Sequence, residues 1–511
     1  MAKMYFKTGI TGGDDSTSGD LDGIDGAVLA DGDSAIVVDS ANALAYFYAL
    51  DADSGEAESL PEVVEPDINA ENKRWLLQKI NSDTIGTGKT IGDIPQYEDD
   101  GSGNPILDHP DIIKADDFVV ADIYGLRWNR STDTFTRLYK ASGLTAGANF
   151  DSILPWSGMR RCNVADDGTI NAYYGDAGFA YDGSNGQVMV EVPKFWYKTY
   201  REDKDNIVFL VANEPKSGFK LHPAFVRNGQ VLDYIYPAAF EGHSDGGSPE
   251  KMESIANVVP STSTSTHDTI GSITPYSDAT IVGCRTAAQE RGIHWEQCDF
   301  LTRCAIYYLF IVEYATFDMQ SAIAEGVVDR GSGTDHNGVI TGETAGYDGG
   351  DDLGNSSGTS NTGNGNSYES ISYRGIENLW GNIWEWCDGI NIQADHKPWI
   401  ADHGFASDKF SSPYYSLNTT LPNSNDYGSD ILINDVLDAG FLTIEVNGSS
   451  SSGLFDYYYQ DTGDRVARVG GNWSVGLYAG GFTWLVNPTS ATSNRTIGSR
   501  ALLMPDPYNR S

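Results

Sequence analysis

The chain has 511 residues, 40% of them hydrophobic and 11% aromatic, enough to build two or three cores or one large core with insertions. Its formal net charge is −39, from 72 acidic against 33 basic residues, which argues against nucleic acid as a partner and against charge-driven adsorption to anionic lipid. Five cysteines, Cys162, Cys284, Cys298, Cys304 and Cys387, in odd number and at wide spacing, give neither a zinc ribbon nor a disulfide framework and read as buried thiols.

In chain order, residues 1–81 read as a small all-β domain. Asp22-Gly23, Asp25-Gly26 and Asp31-Gly32 punctuate β-prone runs at 35–38, 45–50 and 75–80. Asp51, Asp53 and Glu56 lack the internal glycine and distal glutamate of a calcium loop and read as a hairpin turn. The N-terminus, MAKMYFKTGITGG, has no apolar run of signal-peptide length. The stretch LDGIDGAVLADGDSAIVV, residues 21–38, resembles a module at the start of many phage tail-fibre proteins. That resemblance implies docking to other tail proteins. Residues 82–115, rich in Gly, Asp and Pro without periodicity, read as a linker.

From residue 116 the pattern changes. Strands are predicted at 118–124, 135–139, 188–198, 207–212 and 231–238, with Asp166-Asp167-Gly168 as a hairpin turn and Pro193 favouring an edge or bulge. His222 has no readable triad partner and reads as structural. Helices are predicted at 286–291 and 297–319. In the second, Phe300, Cys304, Tyr307, Tyr308 and Ile311 share one side while Ala305, Leu309 and Val312 line another, so little of it can face water. The longest apolar run, residues 304–312, is shorter than the roughly 18 residues of a membrane span, so no membrane insertion is expected. Residues 327–370 are rich in Gly, Ser and Asn and read as a mobile surface loop. A second insertion near 395–464 carries Asp395-His396 and Asp402-His403 without a third or fourth ligand, so no metal site is assigned. Its Phe455, Tyr457, Tyr458 and Tyr459 read equally as contact or core residues.

Residues 373–389 read YRGIENLWGNIWEWCDG. Gly381-Asn382 is a turn signal. Beyond it Trp384 and Trp386 share one face of a strand and Glu385 the other. With Trp380, these residues resemble the GNVWEW motif of the C-type-lectin-like fold, which is shared by formylglycine-generating-enzyme-like proteins and phage receptor-binding tail proteins. The resemblance implies an α+β domain over 116–511, two helices packed on antiparallel sheets, with structural positions at Trp380, Gly381, Asn382, Trp384, Glu385 and Trp386.

The C-terminal segment, 465–503, reads RVARVGGNWSVGLYAGGFTWLVNPTSATSNRTIGSRALL. Its frame of Gly470, Gly471, Trp473, Gly476, Ala479, Gly480, Phe482, Ser493, Asn494, Ile497, Gly498 and Arg500 resembles the variable region of lectin-like proteins targeted by diversity-generating retroelements. Gly481 is one residue extra. In that family the residues between frame positions bind the ligand. Carried over, Ser474, Val475, Leu477, Tyr478, Thr483, Trp484, Leu485 and Asn487 would contact a host-cell receptor, protein or glycan. The resemblance implies a phage tail-fibre or tail-tip adhesin, made in the host cytoplasm, carried on the virion and trimeric. No catalytic residue or cofactor is expected, although acidic loops leave room for structural calcium. The formylglycine-generating oxidase reading requires a C-terminal cysteine pair, since thiolates suit Cu(I), and no cysteine follows Cys387. A tail protein without receptor binding is the remaining alternative.

Overall fold

The computed structural model describes residues 122–331, 335–346, 354–359 and 367–505, and before them five strands with Leu21, Ile24, Leu29, Ala30 and Asp33. The chain divides into two compact units, Met1–Ala121 and Asp122–Ser511. In the first, Met4–Lys7, Ser34–Asp39, Leu44–Asp51, Arg74–Leu77 and Val63–Val64 pair in that order as one sheet. Val37, Tyr48, Leu50 and Trp75 are buried together with Leu21, Ile24 and Leu29. The Asp-Gly turns at 22–32, the 53–56 loop and the linker at 82–115 lie outside the described residues.

The second unit is mostly β, organised by one helix. Helix α2, Phe300–Tyr314, starts where the Asp299 side chain accepts from Thr302 N at 3.0 Å and stops where Ala315 enters the left-handed region at φ 56°. Apolar residues run round its whole circumference, so it is buried on all sides. On one side Tyr308 packs against Phe209 and Tyr197, ring centroids 5.8 and 5.4 Å apart. On another, Phe300 meets Trp484 at 5.4 Å and Tyr307 meets Phe482 at 5.1 Å.

Two sheets flank it. The first orders Lys220–Leu221, Trp196–Arg201, Asn206–Ala212, Ile123–Asn129 and Thr134–Tyr139. The second orders Tyr415–Ser416, Pro398–Ile400, Trp384–Ile392, Arg465–Gly470, Gly480–Val486, Tyr457–Gln460 and Asp426–Tyr427, with Ile497–Gly498 added on Trp384–Ile392. Two of its pairings are parallel: Trp384 with Ile497, and Tyr458 with Trp484. The second sheet is therefore mixed, while the first is antiparallel throughout, as expected.

Several boundaries differ from the sequence reading for local reasons. The 188–198 run is two strands in different sheets, Gln187–Pro193 and Trp196–Arg201, because Pro193 ends the first. Helix α1 is Ile281–Gln289, started by Thr280, whose hydroxyl accepts from Gly283 N. Residues Trp295–Gln297 form a strand before α2. The strand expected at 118–124 begins at Ile123, with 118–121 outside the described residues.

The 327–370 insertion is corrected more deeply. His336, Asn337, Thr341 and Thr344 are fully buried, and distant groups accept from the two threonine hydroxyls, Ile255 O from Thr341 at 2.6 Å and Glu377 from Thr344 at 2.7 Å. Gly342 N and Thr344 N each donate to the Glu377 carboxylate at 2.7 Å, and Val339 N donates to Asn382 Oδ1 at 2.7 Å. The 395–464 insertion likewise adds Leu417, Leu421, Leu432, Phe441 and Leu454 to the main core.

Candidate functional site

The turn before the tryptophan strand forms as its residues dictate. Gly381 and Asn382 both have positive φ, 80° and 57°. A Cβ at position 381 would lie 2.8 Å from Val327 N, so only glycine fits there. Trp384 and Trp386 join Val466, Leu485 and Ile497 in one cluster, while Trp380 belongs to the main core around α2. At about 25 cal/mol per Å² and roughly 150–250 Å² per aromatic, each indole contributes about 4–6 kcal/mol of gross burial. Glu385, on the opposite face, accepts from Arg500 Nε at 3.0 Å and Nη2 at 2.7 Å and pairs with Arg303 of α2. Arg500 also donates to Ala238 O and Glu377 O. One carboxylate thus joins the tryptophan strand, the helix and the closing segment. Gly470, Gly471, Trp473, Gly498 and Arg500 are all buried.

From this frame the chain emerges at 474–478 and again near 489–494, where the frame residues Ser493 and Asn494 are themselves exposed. The buried Asn472 side chain accepts from Ser474 N at 2.8 Å and Ser474 Oγ at 2.9 Å. Trp473 is fully buried against His336, ring centroids 4.7 Å apart. Residues 474–478 then stand outside: Ser474 is exposed, Val475 half-buried, Leu477 51% and Tyr478 42% exposed. The turn is tied underneath by Gly476 N to Val328 O at 3.0 Å and by the Thr483 hydroxyl donating to Tyr478 O at 2.7 Å. Ala479 returns to the interior. A Cβ on Gly480 would fall 1.9 Å from Asp456 Oδ1, while Asp456 Oδ2 accepts from Phe482 N at 2.7 Å. Burial holds the Asp456 carboxyl well above the usual carboxylate range.

Three expected contact residues are corrected. Thr483 and Trp484 are 0% exposed and Leu485 3%. Their strand lies between Arg465–Gly470 and Tyr457–Gln460, with Phe300 of α2 against Trp484 on one face and the Trp384–Trp386 cluster against Leu485 on the other. Both faces are covered, so alternation exposes nothing. Asn487 is half-buried, with its Oδ1 enclosed.

The exposed turn has neighbours that the sequence reading did not join to it. Tyr478 packs on Tyr457 at 4.5 Å and on Tyr427 at 5.7 Å, and Tyr457 packs on Tyr459 at 4.4 Å. Pairing of Tyr427 with Tyr457 across adjacent strands brings the group together. Exposed Asn423, Ser424, Asn425 and Asp426 adjoin it in the chain. Desolvation raises Tyr459 to about 12, so its hydroxyl is neutral at pH 7. Asp402 and His403 touch one another at 2.5 Å. Among the described residues, no three His, Cys, Asp or Glu side chains are grouped to hold a metal.

No protein-family model matches the chain, and no curated protein matches it. Solved structures of Major Tropism Determinant variants are similar to it. The P3c and U1 variants each align at 12% identity over 93% of this chain and 95% of theirs, with TM-score 0.25. The I1 variant aligns at 13% identity over 71% and 73%, with TM-score 0.24. At these TM-scores the likeness carries no argument about function.

Proposed function

We propose that the chain is a phage tail-fibre or tail-tip adhesin, and that it binds a host-cell surface receptor through residues 474–478 together with Tyr427, Tyr457 and Tyr459. The observation that carries this reading is the contrast within one segment: Ser474, Leu477 and Tyr478 are exposed, while Gly470, Gly471 and Trp473 before them and Ala479, Gly480 and Phe482 after them are buried. Side chains that the core does not use can change at little cost to the fold. Clustered tyrosines beside serine, asparagine and glycine resemble an antibody paratope, with large contact area and few rotors to immobilise.

The first unit would attach the protein to the tail, and a homotrimer would gain avidity by presenting several sites. The reading is of binding rather than catalysis. No cysteine follows Cys387, and burial raises the Cys298, Cys304 and Cys387 thiols, which keeps them unreactive. Retroelement diversification would leave a near-copy of the 3′ coding end, differing mainly at adenines, in the neighbouring DNA. Fluorescently labelled full-length protein applied to a panel of bacterial strains tests the function. Labelling of a subset, abolished by protease or periodate treatment of the cells according to receptor class, supports it. No labelling of any strain counts against it.

A further inference from the structure

A depression of about 280 Å³ opens on the second unit, away from the residues assigned above. Its lining includes the apolar side chains of Leu221, Val226, Leu301 and Leu437. Within the lining the Tyr197 hydroxyl and Lys220 Nζ both hold Asp438, the lysine at 2.7 Å. Asp402, also in the lining, accepts from Asn228 N at 3.2 Å and from His403 at 2.5 Å. Tyr415, 40% exposed, and Val436, 36% exposed, stand at its rim.

The chemistry narrows the occupant. Lys220 is the one cation lining the depression and already faces Asp438, so an anion would meet two carboxylates with no free counter-charge. Two aspartates with their donors in place make a poor cation site, and among the described residues no metal-type cluster includes them. The volume, about 280 Å³, is at or below the roughly 300–1,000 Å³ of ligand pockets, room for one ring. Each carboxylate retains acceptor sites beyond those already used, and Lys220 retains donors. Two carboxylate acceptors, apolar side chains and an exposed tyrosine in one lining match a ring with hydroxyls on its edges and C–H bonds on its face.

We propose that this depression binds one neutral pyranose residue. The site shares no residue with the proposed receptor surface and stands or falls separately from it. Saturation-transfer difference NMR on the full-length protein with methyl α-glucoside, methyl α-galactoside, methyl α-mannoside and N-acetylglucosamine tests it. At least one sugar is expected to receive saturation, chiefly at ring C–H protons. Tyr415→Ala and Asp438→Asn should each weaken it about fivefold or more, as expected for loss of one contact worth a large share of a small ligand's affinity. Tyr478→Ala should leave it unchanged. Tyr415 is at the surface, so its alanine variant decides the matter should Asp438→Asn lower the melting temperature. No transfer from any of the four sugars at about 20 mM, above the millimolar range of so small a ligand, overturns the proposal. Transfer that survives Tyr415→Ala undiminished also overturns it.

Discussion

Replacing Glu385 by alanine removes the single anion shared by two buried guanidinium groups. The Arg303 and Arg500 side chains are each 1% exposed and that of Glu385 is 3% exposed. Arg500 would keep its main-chain acceptors at Ala238, Ala239, Glu377 and Asn378. The terminal nitrogens of Arg303 have no hydrogen-bond acceptor besides this carboxylate among the described residues. Breaking a buried pair by deleting one partner costs about 3–5 kcal/mol, and stranding Arg303 places the alanine variant toward the upper end. Glu385→Gln keeps an acceptor and the volume but not the charge, and should cost about 1.5–3 kcal/mol, the worth of hydrogen bonds to charged groups. Urea denaturation followed by tryptophan fluorescence measures both. Replacing all three residues by apolar ones of similar size should recover most of the loss, because the penalty comes from the uncompensated charge. An alanine variant within about 1 kcal/mol of the parent, below the range for a broken buried pair, would refute this account of the frame.

Acid should weaken the fold through histidines buried in their neutral form. Burial pushes His336 and His222 well below 6.5, and His267, stacked on His336 at 5.3 Å, is lowered too. The unfolded chain then binds more protons, so this stability is complete above about pH 6.5 and falls as the pH drops below it. His336→Asn should flatten the loss between pH 6.5 and 5 in denaturation curves, and an unchanged slope contradicts the assignment. Glu241 runs the other way: burial raises it to about 8, so its contribution is complete below its unfolded value and lost as pH rises through 8. Glu241→Gln should therefore gain on the parent at pH 9 relative to pH 5, and an equal difference at both contradicts it. Gly480→Ala drives a methyl group into the Asp456 carboxyl and should cost about 1–3 kcal/mol, as overpacking does. An unchanged melting temperature would show that the contact yields freely.

The parts of the fold that were legible in the sequence are those where a residue's own geometry decides the outcome. Gly381-Asn382 adopts the positive φ that its composition suggests, and the period-two placement of Trp384 and Trp386 around Glu385 survives in the clusters they join. The apolar circumference of α2 announced its burial. Exposure at 483–485 was not legible, because a mixed run such as GGFTWLV reads alike at a surface and in a strand covered on both faces. The covering groups, Phe300 and Trp386, lie about a hundred residues or more away in the chain. Composition misread 335–346 for a related reason: Glu377 and Asn382, outside the segment, accept from the main chain of Gly342 and Val339 and from the Thr344 hydroxyl, which lets a polar stretch lie inside. The tyrosine cluster was half visible in residues 455–459, but its link to Tyr427 and Tyr478 exists only through strand pairing.

The central claim is that the exposed turn serves recognition and not folding. Its most direct test replaces Ser474, Leu477 and Tyr478 together by alanine in the full-length protein, and measures cell binding and thermal melting on the same sample, using a strain that the parent labels. Binding should fall about tenfold or more, as for loss of an aromatic anchor at an interface, while melting stays where it was. Undiminished binding, or binding lost only because the protein unfolds, would contradict the account.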